Sequence, residues 1–270
     1  MRRAWPLRLY AVVFLVVLYA PTLVLPLFAF NSGAVIAFPL QGFSLRWFEA
    51  LWETRALHEA LRNSLFIAVA TSILATLLGL FAARASTLAS FPGKRPALGL
   101  VMLPLVLPEI VIAIAILIVV RQVLGLPLSN LTVILAHVII TVPFAIAILN
   151  GAFASLDPSM EEAAMDLGES RWGAFRLVTL PLVMPGIVSS MLLCFIISLD
   201  DFVLSQFLTG ENPTLPVYIY GLSRDVDRLP TIMPLGFLLV VLSIALLALA
   251  EWVRRRGAAR TGQARTGGLL

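Results

Sequence analysis

The chain is poor in charge, cysteine and histidine, and it has no phosphate-binding loop. Only 13% of its 270 residues are charged, where a soluble domain carries about 25%. That deficit excludes an ordinary soluble domain. The single cysteine, Cys194, excludes an internal disulfide and a cysteine metal cluster. The two histidines, His58 and His137, are far apart and make no spaced ligand pair, so no metal site is expected. The one Gly-Lys pair, Gly93-Lys94, is followed by Arg95 and lacks the upstream glycine of a nucleotide-cradling loop. No catalytic constellation and no cofactor site is expected in the chain itself.

Apolar sequence fills the space. Hydrophobic residues make up 60% of the chain. Six runs, near residues 9–30, 63–83, 98–120, 131–149, 186–208 and 231–252, each approach the ~20 residues that a bilayer span needs. The first follows "MRR" but is longer than a secretory h-region and lacks a small-x-small cleavage pattern, so it is expected to stay as a helix. Lys and Arg orient the runs. With the N-terminus inside, 13 of the 19 basic residues fall in inner segments and 6 in outer ones. Both termini are therefore expected in the cytoplasm. The expected fold is an all-α integral membrane protein with six transmembrane helices, forming one domain over residues 1–256. The Gly- and Arg-rich tail, 257–270, is expected to be disordered.

Two loops are too long to be simple connectors. The outer one, 31–62, carries Trp47 and Trp52, which with Tyr218 and Tyr220 suit an interfacial aromatic belt. The inner one, 150–185, reads as two short helices. Asp157-Pro158 can start the first, and Glu161 and Glu162 favour its positive end. Met160, Ala163, Ala164 and Leu167 share one face by i, i+3, i+4, i+7 spacing. Gly168 can end it, and Ser170 can cap a second helix bearing Trp172 and Phe175. Leu180-Pro181 and Pro185 are expected to break the chain before the fifth span. Such a loop suits docking to a protein. The rival is a helix lying on the membrane surface, but five acids against two arginines would be repelled by an anionic leaflet.

Three acids interrupt the spans: Glu109, Asp200 and Asp201. A central Asp costs ~2.5–3.5 kcal/mol on insertion scales, and such residues usually face a protein interior or an aqueous path. The bland alternative is a polar contact between helices or subunits. Neighbours on a helix point about 100° apart. Continued helical phase puts Asp201 on a small polar stripe with Ser190, Cys194, Ser198 and Ser205, and Asp200 on an apolar stripe. Asp201, Ser198 and Ser205 are thus expected on the pathway, with Asp200 at a gating or inter-subunit contact. Glu109 follows Pro104 and Pro108, whose break frees carbonyls that suit a cation. His137 is expected to hydrogen-bond between helices, with a direct contact to the solute as the alternative.

The inner loop carries a resemblance. "EEAAMDLGESRWGAFRLVTLP" resembles the EAA signature of bacterial ABC-importer permeases through Glu162, Ala163, Ala164, Gly168, Leu180 and Pro181, with Val178 where the family has Ile. "SLDDFVLSQFLTG", "TLPVYIYG", "LPLVLPEIV" and "AHVIITVPF" are similar to the polyamine subgroup, the PotC-like subunits of spermidine/putrescine importers. The resemblance implies a type I (MetI-like) permease in a bacterial inner membrane. It implies that the loop, from Glu161 onward, couples to an ATPase. Implied partners are a second permease, two ATPase subunits that use ATP and Mg, and an extracytoplasmic solute-binding protein. The implied function is ATP-driven polyamine import, with another small cationic or organic solute as the alternative. A stand-alone secondary carrier would leave the EAA loop unexplained, and an intramembrane aspartyl hydrolase would need carboxylates converging from different segments.

Overall fold

Long apolar runs without water to satisfy their backbone must satisfy it internally, and helices do so within one segment. The computed structural model describes residues 4–33, 36–88, 92–157, 159–225 and 228–260. The helices are α1 (Ala4–Ala29), α2 (Arg46–Trp52), α3 (Arg55–Leu88), α4 (Lys94–Met102), α5 (Glu109–Ile118), α6 (Asn130–Ala154), α7 (Ser159–Asp166), α8 (Arg171–Ala174), α9 (Leu180–Asp200), α10 (Val203–Leu208), α11 (Leu215–Ser223) and α12 (Leu229–Arg260). Among the described residues the only extended pairing is an isolated bridge between Asn31 and Phe43.

Among the described residues five helical stretches are long and apolar enough to cross a membrane: Leu7–Ala29, Arg55–Thr87, Asn130–Ala154, Arg171–Asp200 and Leu229–Leu249. A sixth is broken, as Lys94–Leu105 and Glu109–Val123 meet at 102°. Pro104 and Pro108 explain that bend, since neither donates a backbone hydrogen bond.

The fifth span departs from expectation at both ends. Leu180-Pro181 and Pro185 do not break the chain; Pro181 sits in the first turn of α9 and Pro185 lies inside it. The preceding π-helical turn, Phe175–Thr179, carries the helix from α8 into α9, and such a local π adjustment accommodates a proline within a membrane helix. At the other end α9 stops at Asp200, and Asp201 is extended with ψ 122°. Of the tail expected to be disordered, residues 257–260 end α12 and 261–270 lie outside the described residues.

The chain packs as two compact units. The first comprises residues 1–59 and 218–243. In it α1 is exposed along most of its apolar length. Phe30 stacks on Phe43 and also meets Phe48 and Phe237. Trp47 donates its indole N–H to the Asn31 carbonyl at 3.0 Å, with the Arg46 guanidinium 4.2 Å above its ring. Trp47 therefore braces the outer loop from within, whereas Trp52 stays exposed.

The second unit comprises residues 60–217 and 244–270. Its most buried helix is α6. Ile112 and Ala113 of α5, Val133, Ile134 and Val138 of α6, and Leu204 and Leu208 of α10 form one apolar cluster. Leu80, Ala83, Leu149, Phe153, Phe175 and Val183 form another. Small residues let the backbones approach where lipid offers no hydrophobic drive. A Cβ added at Gly79 would stand 2.6 Å from that of Ala145.

Candidate functional site

The second unit holds two chemically distinct groups of residues. One is the inner loop. Asp157 accepts a hydrogen bond from the Ser159 amide at 3.0 Å. Its side-chain and backbone bonds with Ser159 hold its carboxyl below the ordinary range. Pro158, expected to open the helix, lies outside the described residues. The chain then leaves α7 through Gly168 at φ +97°, a left-handed conformation that costs other residues a Cβ clash. Ser170 Oγ accepts from the Gly173 amide at 3.0 Å and starts α8. The expected pair of short helices joined at a glycine is thus present.

The apolar face of the loop is uncovered. Leu167 is 89% exposed and Trp172 66%, and Glu162 and Ala163, earlier in α7, are exposed too. Ala164 is half-buried. Leu180 packs against the apolar cluster of Phe175, while Pro181 is exposed.

Glu161 turns the other way. It accepts from Arg84 Nη1 at 2.9 Å, across 77 residues of sequence, and from the Thr179 hydroxyl. The Arg84 guanidinium lies 4.1 Å above the Phe175 ring. Burial pushes the Glu161 carboxyl up, but the hydrogen bonds from Arg84 and Thr179 and the Arg84 charge outweigh it, leaving the group below its ordinary value. Beside this cluster lies a cavity of about 670 Å³, lined by Arg84, Phe153, Glu161, Glu162, Arg171 and Thr179 among others. In the sequence Arg84 is simply one of the basic residues of the inner segments. Its pairing with Glu161 has no signal at that separation.

The second group surrounds the end of α9. His137, on α6, is fully buried. Its Nδ1 is 2.7 Å from Ser198 Oγ, and its Nε2 is 3.0 Å from Asp201 Oδ1 and 3.3 Å from Ser205 Oγ. Asp201 Oδ1 also accepts the Ser205 amide of α10 at 3.0 Å. Glu109 begins α5 directly after Pro108, with its carboxyl beside Asp201. Asp200 is exposed at the last residue of α9.

These positions bear on the expected roles of the two aspartates. Asp201 is 8% exposed, and Ser198 and Ser205 are buried with it, so they do not line open space in this chain. The stripe below them is also closed. Ser190 meets Thr76 across 3.2 Å, and Cys194 points at the Thr141 carbonyl. Small polar residues suit a helix seam as well as a water-filled path, and the sequence does not separate the two. A helix running on to residue 208 would split the aspartates by phase. The observed helix ends between them, turning Asp201 inward and leaving Asp200 outward. The expected interhelical hydrogen bonding of His137 is present, and Asp201 is among its partners.

The family model for "Binding-protein-dependent transport system inner membrane component" matches residues 75–258. The chain is 34% identical over 237 residues to the spermidine/putrescine transport system permease protein PotC of Escherichia coli K12, covering 86% of this chain and 89% of that protein. It is 34% identical over 253 residues to the putrescine transport system permease protein PotI of the same strain, covering 88% and 89%. A crystal structure of a bacterial ABC transporter that imports alginate contains a chain of the same fold, with TM-score 0.74 at 18% identity, covering 94% of this chain and 96% of that one.

Proposed function

Because the chain belongs to the family of binding-protein-dependent transport system inner membrane components, we propose that it is the channel-forming subunit of an importer that carries polyamines into the cytoplasm. The named functions of two relatives, both 34% identical over most of the chain, support polyamines as the substrate class. The carrying observation on the chain itself is the acidic group at the α9 break: exposed Asp200, buried Asp201 and half-buried Glu109. An amine cation crossing a membrane must replace part of its hydration, and carboxyl groups beside broken helix ends supply that replacement.

Asp200 is assigned the direct contact with the passing amine. Asp201, held by His137, sets the geometry of the break. Glu109 lies at the second break, beside Asp201. Transient contacts suffice, since tight binding would slow release.

The energy comes from partners. The sequence has no nucleotide-binding loop of its own, and the exposed face of α7 and α8 offers a docking surface for an ATPase subunit. The assembly comprises this chain, a second permease, two ATPase subunits working with ATP and Mg, and a solute-binding protein outside. The bias of basic residues supports the inner loop and both termini lying on the cytoplasmic side.

The test is uptake of labelled putrescine and spermidine by the reconstituted complex. Asp200→Asn lowers uptake while assembly and stability are kept. Asp201→Asn lowers uptake together with stability. Unchanged uptake in Asp200→Asn refutes the acidic station. Uptake of a different solute by the unmutated complex refutes the substrate class. Pure chain alone hydrolyses no ATP, and measurable hydrolysis refutes the multi-subunit reading.

A further inference from the structure

A docked ATPase can move this chain only through covalent connections or side-chain contacts that carry force from the loop into the spans. Helix α7 is flanked by a cavity of about 670 Å³, so close packing does not back it there. A polar clamp does. Arg84, on the last turns of α3, donates to Glu161 at 2.9 Å. Glu161 takes a second bond from Thr179, which is buried at the start of the fifth span.

Arg84 also rests on the Phe175 ring at 4.1 Å, and that ring is part of the apolar cluster of Leu80, Leu149 and Val183. One guanidinium therefore joins the loop helix to residues of α3, α6 and α9. The pair is largely shielded, with both side chains 22% exposed, so solvent screens it less than a surface ion pair. Helix α9 then runs from Leu180 to Asp200, a rod of about 30 Å at 1.5 Å per residue. Movement applied at Thr179 arrives at the α9 break.

We propose that Arg84 is the positioning residue that transmits movement of the inner loop to the membrane helices, by fastening Glu161 to the root of α9. The proposal rests on the importer reading above, and its test separates the two. In reconstituted vesicles, uptake and ATP hydrolysis are measured together. Arg84→Ala keeps the ATPase subunits bound and hydrolysing, while uptake per ATP falls about tenfold, the loss expected for one charged hydrogen-bonded contact. The exchanged pair Arg84→Glu with Glu161→Arg recovers part of that ratio. Arg84→Lys, which keeps the charge but loses the planar stacking, gives an intermediate ratio and carries the test if the alanine variant does not fold. Uptake and hydrolysis falling in proportion, or an unchanged ratio, overturns the proposal.

A second readout needs no solute. Spin labels on Ala85→Cys and Asp166→Cys, in a Cys194→Ser chain, report the separation between α3 and α7 through the ATP cycle. The separation stays constant with Arg84 present and shifts on ATP addition with Arg84→Ala. Identical behaviour in both overturns the clamp. A complex that moves no amine but shows this difference refutes the substrate assignment alone.

Discussion

Exchanging His137 and Asp201 for leucine, singly and together, measures how strongly the buried network is bound. His137→Leu keeps volume but removes the ring nitrogens that meet Ser198, Asp201 and Ser205 at 2.7, 3.0 and 3.3 Å. Removing one partner of a buried hydrogen bond costs about 1–3 kcal/mol, much of it for the group left behind. Interhelical hydrogen bonds in membranes average a coupling of only ~0.6 kcal/mol, with a maximum near 1.7. The His137–Asp201 pair belongs at the upper end, because the side chains are 0% and 4% exposed and the imidazole is held from both sides. We therefore expect a coupling of ~1.5 kcal/mol, with the double variant less destabilised than the sum of the singles by that amount. Equilibrium unfolding of the purified complex in mixed detergent micelles reads it. Additivity within ~0.5 kcal/mol, the spread seen for independent sites, would refute the network.

The helix seams give a matched pair of tests. Gly79→Val drives side-chain atoms into Ala145, 2.6 Å from an added Cβ, and costs ~1–3 kcal/mol in thermal stability. Gly151→Ala in α6 meets nothing within 4 Å and stabilises by ~0.5–1 kcal/mol. On the docking loop, Glu162→Lys and Gly168→Val weaken co-purification of the ATPase subunits, the first by charge and the second by straining a φ of +97°. The Arg84–Glu161 pair has a pH limb. Its carboxyl lies below the ordinary 4.5 when folded, so its contribution is complete above 4.5 and is lost as pH falls through the lower, folded value. Protease protection of the loop stays level from roughly pH 8 to pH 5 and drops below that, and Arg84→Ala flattens the drop.

The two-helix form of the loop is legible in the sequence because each signal is local. Asp157, Gly168 and Ser170 act on amides or dihedrals within a few residues of themselves. The bend of the third span is legible for the same reason, through Pro104 and Pro108. The Arg84–Glu161 clamp is not, because 77 residues separate its members. Proline misleads at the fifth span: a π turn just before it accommodates Pro181 without a break. The end of that span did carry a local signal. Aspartate is a preferred residue at a helix start, and Asp201 bonds the amide of Ser205 just ahead of α10. In a run so apolar, the acids suggest a pathway first, yet Asp201, extended at the end of α9, spends its carboxylate on the Ser205 amide of the next helix.

That stop also accounts for the two aspartates being adjacent. A helix carries about half a negative charge at its C-terminus and half a positive charge at its N-terminus. Asp201 sits at the positive end of α10 and is bonded there, which favours it. Asp200 sits at the negative end of α9, where a carboxylate costs about 0.3–1 kcal/mol. A cation beside an exposed acid at that helix end is favoured both by the carboxylate and by the negative end of the helix. Under the proposed function that preference suits transit, since the station is stabilised most while it is occupied. Moving the acid by one residue would remove it, because Asp201 already belongs to α10 and His137.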